Sequence, residues 1–188
     1  MASLFSHTLV ALAVGQASIN QTMPARFWAL SVLCSILPDA DVIGFAFGIE
    51  YGDLLGHRGL THSLSFALFI SLVIARVWFP AVTGGTRAWW LLLAYFFLVT
   101  ASHGMLDAMT DGGLGVAFFA PFDNTRYFLP WRPVKVSPIG IKTFFNSYGL
   151  QVLMSEIVWI WIPGALMVLG VKAGRKAYRW NAKRGTMA

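Results

Sequence analysis

Long apolar runs alternate with short polar interruptions along this chain, and the interruptions and the ends of the runs hold its histidines and most of its aspartates. Residues 9–19 are apolar and predict a short first helix, ended by Pro24 and Arg26. Residues 27–37 form a second run that stops at Pro38-Asp39-Ala40-Asp41. Proline removes a backbone donor, so a break or kink is expected there. Residues 42–49 are apolar again but carry Gly44 and Gly48, and read as a re-entrant or interfacial piece before a polar loop over 50–58. A third helix is predicted over 64–79 and a tight Gly84-Gly85 loop over 80–87. The fourth helix, 88–106, has no formal charge and opens on Trp89-Trp90, as an interfacial aromatic belt does. Residues 107–149 are rich in Gly, Pro and aromatics, too polar to span and too apolar for a free linker, and are expected to fold over one face of the bundle. The last helix, 150–171, contains Glu156 and a kink at Pro163.

Composition turns these runs into membrane helices. The chain is 57% hydrophobic and 12% charged, against roughly 25% charged in soluble domains. The expected fold is therefore an all-α membrane protein: a single domain over 1–188, a bundle of about four to five transmembrane helices, with the extramembrane segment 107–149 covering a polar metal site. Residues 9–17 resemble the core of a signal peptide, but no positive charge precedes them and His7 interrupts the start, so the run is expected to stay as a helix. The net charge of +6 does not point to nucleic acid, because six of the fourteen Lys and Arg lie in the tail 172–188. A basic cluster directly after an apolar helix marks a cytoplasmic end in contact with anionic lipid. The lone cysteine, Cys34, excludes an intramolecular disulfide and a Cys-based zinc site, so any metal must be held by His and Asp.

With the tail in the cytoplasm, tracing the helices backwards brings His7, Asp39, Asp41, His57, His62, His103 and Asp107 to the outer face. The tracing makes no use of the histidines, so their convergence is independent support for a site. His103 and Asp107 are four residues apart, on one face of a helix, and can chelate one ion. His57 and His62 need the Gly59 turn to point inward together. Arg58 between them, and Arg126 further on, are candidates to hold an anionic substrate group such as phosphate. Asp123 is placed to pair with Arg126. Glu156 either faces the site or pairs with a basic group.

Three stretches in order, Pro38-Asp39-Ala40-Asp41, then Gly56-His57-Arg58-Gly59-Leu60-Thr61-His62-Ser63, then Ser102-His103-Gly104-Met105-Leu106-Asp107, closely resemble the YdjM-like family of LexA-regulated, membrane-bound, metal-dependent hydrolases. The likeness covers residues 6–131. It implies an inner-membrane protein of bacteria or archaea whose ligands are His7, Asp39, His57, His62, His103 and Asp107, with Asp41 adjacent. So many ligands exceed the needs of one tetrahedral zinc, and suggest one or two divalent ions with Asp39 bridging. Asp41 or Asp107 would then act as base or orient a histidine, and Arg58 and Arg126 would neutralise phosphate charge. The expected function is hydrolysis of a small-molecule or lipid phosphoester, with membrane lipids as partners and no nucleic acid. The alternative is a metal-binding transporter or a non-catalytic membrane metal protein. A haem reading is disfavoured by the aspartates, which suit hard ions better than haem iron.

Overall fold

The apolar runs fold as helices, the first four within five residues of their expected limits, while the last continues past 171 to Gly185 and takes in most of the predicted tail. The computed structural model describes residues 1–19 and 22–185, apart from the side chains of residues 141, 142 and 180–185, so the end of the predicted tail lies outside the described residues. Helix α1 is Leu4–Ser18, α2 Ala25–Ile36, α3 Leu64–Val77 and α4 Arg87–Ala108; α5 is the single turn Ile141–Phe144, followed by α6, Ser147–Glu156, and α7, Ile162–Gly185. Local chemistry sets several starts. Ser63 caps α3 by accepting from the Phe66 amide, Thr86 caps α4 from the Trp89 amide, and Asn146 caps α6 from Tyr148 and Gly149.

Two interruptions are milder than the residues suggest. At Pro38 the chain does not break. It tightens into a 3-10 segment, Leu37–Phe47, with proline in the first turn, and closes at Gly48 with φ of 78°. Residues 42–49 therefore continue α2 rather than forming a separate re-entrant piece. At the other end, Pro163 is preceded by a π turn, Ile157–Trp161. Proline has no N–H for the carbonyl four residues earlier, and its ring presses on it; widening the turn relieves both.

Three helical stretches are long and apolar enough to cross a membrane: Ala25–Phe47, Arg87–Ala108 and Ser147–Arg179. Leu4–Ser18 and Leu64–Val77 are apolar but shorter. At 1.5 Å per residue they reach about 21–22 Å, against about 30 Å of hydrocarbon. The expected four to five transmembrane helices are thus three long helices and two short ones, and the short ones meet the polar residues at their starts: His7 lies in the first turn of α1, and His62 directly precedes α3.

Helix α4 is the centre of the bundle, with Phe96, Val99 and His103 fully enclosed. Phe27 and Phe79 pack against its Tyr95 and Phe96, and Phe27 stacks on Tyr95 with ring centres 4.6 Å apart. Leu33, Phe69, Leu91 and Leu98 point outward, as lipid-facing side chains do. The segment after α4 folds over the bundle end as expected. The Leu64 amide donates to Phe118, the Ala117 amide to Arg58, and the Ser137 amide to Met1. Val116 pairs with Tyr127 and Thr110 with Val134 as isolated bridges.

Candidate metal centre

Four pieces of chain meet at that covered end. Helix α1 brings His7, the 3-10 segment brings Asp39 and Asp41, the loop before α3 brings His57, Arg58 and His62, and the last turns of α4 bring His103 and Asp107. Close approach is possible because two positions lack a side chain. A Cβ on Gly56 would lie 2.1 Å from the Glu50 carbonyl oxygen, and one on Gly104 would lie 2.8 Å from the carbonyl oxygen of His62. Between these glycines Arg58 holds a left-handed backbone, φ 65°. That conformation is rare outside glycine and is kept only where surroundings enforce it.

Donor atoms of Asp39, His62, His103 and Asp107 all lie within 4.8 Å of one another, and all four residues are buried. His103 Nδ1 is 2.7 Å from the Ser35 carbonyl oxygen. A carbonyl only accepts, so the proton sits on Nδ1 and Nε2 is turned to the cluster with its lone pair. His62 is held likewise, with Nδ1 3.1 Å from Asp41 Oδ2. The two Nε2 atoms are 3.1 Å apart; His103 Nε2 is 3.2 Å and His62 Nε2 3.5 Å from Asp39 Oδ1. His62 Nε2 is 3.6 Å from Asp107 Oδ2. A tetrahedron of ligands about 2.0–2.1 Å from zinc has edges of about 3.3–3.4 Å. These four separations, 3.1–3.6 Å, lie close to such edges, and the donor set could hold a divalent ion.

Electrostatics agrees with the spacing. Burial alone would lower the His62 pKa, but hydrogen bonds that its ring donates to the carboxylates of Asp107, Asp39 and Asp41 outweigh it and raise it to about 10. The cluster thus draws positive charge to this point. Asp39 Oδ2, both ring nitrogens of His7 and His57 Nε2 are buried without a hydrogen-bond partner. Such atoms are costly unless a ligand or ion satisfies them.

The remaining predicted site residues fall into supporting positions. Asp41 accepts from His57 Nδ1 at 2.7 Å, from the Thr61 hydroxyl at 2.6 Å and from the Arg58 amide at 3.2 Å. His57 therefore belongs to a second buried group, Asp41, His57 and His62, whose atoms already hydrogen-bond to one another. His7 stacks on His103 with ring centres 3.7 Å apart, and its Nε2 lies 3.4 Å from Asp107 Oδ1. Asp107 also accepts from the Ala2 amide at 2.7 Å. Arg58 is fully buried and turned inward. It donates through Nε to Asp107 Oδ2 at 3.0 Å, through Nη1 to the Gly112 carbonyl and through Nη2 to Thr110 Oγ1. Arg126 grips main-chain carbonyls of His57, Tyr51 and Asp53. Neither guanidinium presents itself to a substrate as the sequence suggests. Asp123 accepts from the Thr125 amide and the Tyr127 hydroxyl rather than pairing with Arg126. Glu156, fully buried, accepts from the amide and hydroxyl of Ser3 rather than from a basic group.

Several contributors escape a reading of the residues. Thr61 lies inside the histidine-bearing stretch and was open to notice; the Ser35 carbonyl is a backbone atom and carries no sequence signal. Comparison with known proteins follows the same lines. The chain matches the YdjM inner membrane protein family over residues 1–181. It belongs to that family. It is also 39% identical over 171 residues to the inner membrane protein YbcI of Escherichia coli strain K12, covering 89% of this chain and 95% of the relative. No solved structure matches. Membership of the YdjM family accords with the apolar helices and with the expected inner-membrane setting, and the buried His/Asp group of this member could hold a metal ion.

Proposed function

We propose that this protein is a metal-dependent hydrolase of the inner membrane that cleaves a phosphoester on a lipid or another membrane-linked molecule. The observation that supports this reading is the facing pair of Nε2 atoms, His62 and His103, 3.1 Å apart beside Asp39, each imidazole held at Nδ1 by an oxygen. Asp39, His62, His103 and Asp107 would hold one ion, with His7 within reach. The second group serves as its support. Zinc suits this imidazole and carboxylate set. Bound there, the ion supplies Lewis acidity toward water and toward the phosphoester oxygens. Asp41 is a positioning residue that orients His57 and His62. With its proton fixed on Nδ1 toward Asp41, His57 keeps a lone pair on Nε2 and can take a proton from the attacking water. Arg58 acts by fixing Asp107. In this reading the site faces outward, the basic tail is cytoplasmic, and expression is under LexA control.

The enclosure of the site favours a second reading, a metal held for structure alone, since none of its residues is more than 8% exposed. Transport gains no such support: the two cavities at the opposite end of the bundle are lined by neither carboxylate nor histidine. Metal analysis by mass spectrometry on purified protein, with release assays on bis(p-nitrophenyl) phosphate and on a phospholipid, separates the readings. The wild type should carry metal and release product. His103→Ala and Asp39→Ala should lose both, and His57→Gln should keep the metal but slow release by about 10²-fold or more. Unchanged metal in the first two variants would sink the metal site. A full metal complement with no release from either substrate would leave the structural reading.

A further inference from the structure

The end of the bundle away from the histidines holds a second built feature. A cavity of about 630 Å³ lies between the tail-side turns of α7 and residues at the end of α1 and the start of α2. Lys172, Arg175, Lys176 and Arg179 line it, at spacings of three, four and seven residues, so all four occupy one face of α7. The facing wall includes Gln16, Thr22 and Trp28. Arg175 also donates to the main-chain carbonyls of Ala17 and Ile19, which ties the basic face to the end of α1. The chain's eight carboxylates are at 39, 41, 50, 53, 107, 111, 123 and 156, and none lines this cavity. Positive charge is thus concentrated in a concave space with no acid in its wall.

A neighbouring cavity of about 460 Å³ has the opposite character. Phe27, Leu91, Leu92 and Tyr95 line it, and it shares Ile19 and Met23 with the basic cavity. A charged chamber and an apolar chamber that share those two lining residues match a molecule with an anionic head and a hydrocarbon chain. A free anion would use only the first.

We propose that this pair of cavities binds one anionic phospholipid, its phosphate against Lys172, Arg175 and Lys176 and an acyl chain beside Phe27 and Leu91. Lysine and arginine supply the donors, and the low dielectric of the membrane edge strengthens each contact. The site is separate from the metal centre and does not depend on it.

Native mass spectrometry of the full chain in detergent, titrated with phosphatidylglycerol, phosphatidylcholine or inorganic phosphate, tests this. Wild type should retain phosphatidylglycerol at least about tenfold better than phosphatidylcholine, and inorganic phosphate at millimolar concentration should displace little of it. Lys172→Gln with Lys176→Gln should erase that preference. Leu91→Trp, which fills the apolar chamber, should weaken phosphatidylglycerol retention at least about fivefold with the lysines intact. An unchanged circular dichroism spectrum and a monodisperse elution profile would show that both variants remain folded; if one misfolds, Lys172→Ala alone replaces the lysine pair and Leu91→Phe replaces Leu91→Trp, each read by the same measurement. Equal retention of the two lipids by wild type, or an undiminished preference in the lysine variant, would overturn the proposal. Full displacement by inorganic phosphate together with no effect of Leu91→Trp would overturn the lipid and leave a free-anion site.

Discussion

Arg58 carries more separate demands than any other residue of the site. Its backbone is left-handed, its side chain is fully buried, and its three guanidinium nitrogens reach a carboxylate, a carbonyl and a hydroxyl at and just beyond the end of α4. Lysine keeps the charge but not the planar fork. Arg58→Lys should therefore lower the melting temperature, with a loss of about 2 kcal/mol from the stranded acceptors, and should weaken metal retention through Asp107. Circular dichroism in detergent and metal analysis check the two effects. At the same scale Asp41→Asn keeps the volume and removes the charge that orients two imidazoles; metal affinity should fall about 10- to 100-fold while the four close donors remain. Competition with a chromophoric chelator measures it. The residues of this cluster were legible as a set because their types are scarce in an apolar chain. Their roles were less so. An arginine between two histidines reads as a phosphate clamp until Asp107, Thr110 and Gly112 are seen to close around it, and those partners lie about fifty residues away in sequence.

At the scale of elements, apolar runs and their flanking polar residues located all five apolar helices, since burial and lipid exposure both demand continuous apolar surface. What the runs did not reveal was how the backbone behaves at Pro38 and Pro163. A 3-10 segment and a π turn satisfy the same sterics as a break or a kink. The choice depends on what each turn must deliver: Asp39 and Asp41 inward in the first, Glu156 onto Ser3 in the second. Gly104 marks a further constraint at this level. It lets α4 approach the strand of chain carrying His62, and a methyl group there meets a backbone oxygen that cannot swing aside. Gly104→Ala is expected to cost about 1–3 kcal/mol of stability through overpacking, although alanine is the better helix former. A lower melting temperature accompanied by reduced metal content is the predicted result; a rise in melting temperature would show that α4 can shift without loss.

Across the whole molecule the polar centre ties the two short helices to the long ones, so a cation bound there would stabilise the bundle and not merely the loop. A ligand at a hundred times its dissociation constant adds about 2.7 kcal/mol to the folded state. Treatment with a strong chelator should lower the melting temperature, and one equivalent of zinc should restore it; identical curves before and after chelation would mean that the fold does not depend on the site. His62 gives this dependence a mechanical form. Its ring is a rigid plane held at Nδ1 by Asp41, on the continuation of α2, while Nε2 faces Asp39, His103 and Asp107. A rigid plane gripped at both edges works as a lever: any tilt imposed at the Asp41 edge reappears at the other as a change in the spacing of the donors around Asp39.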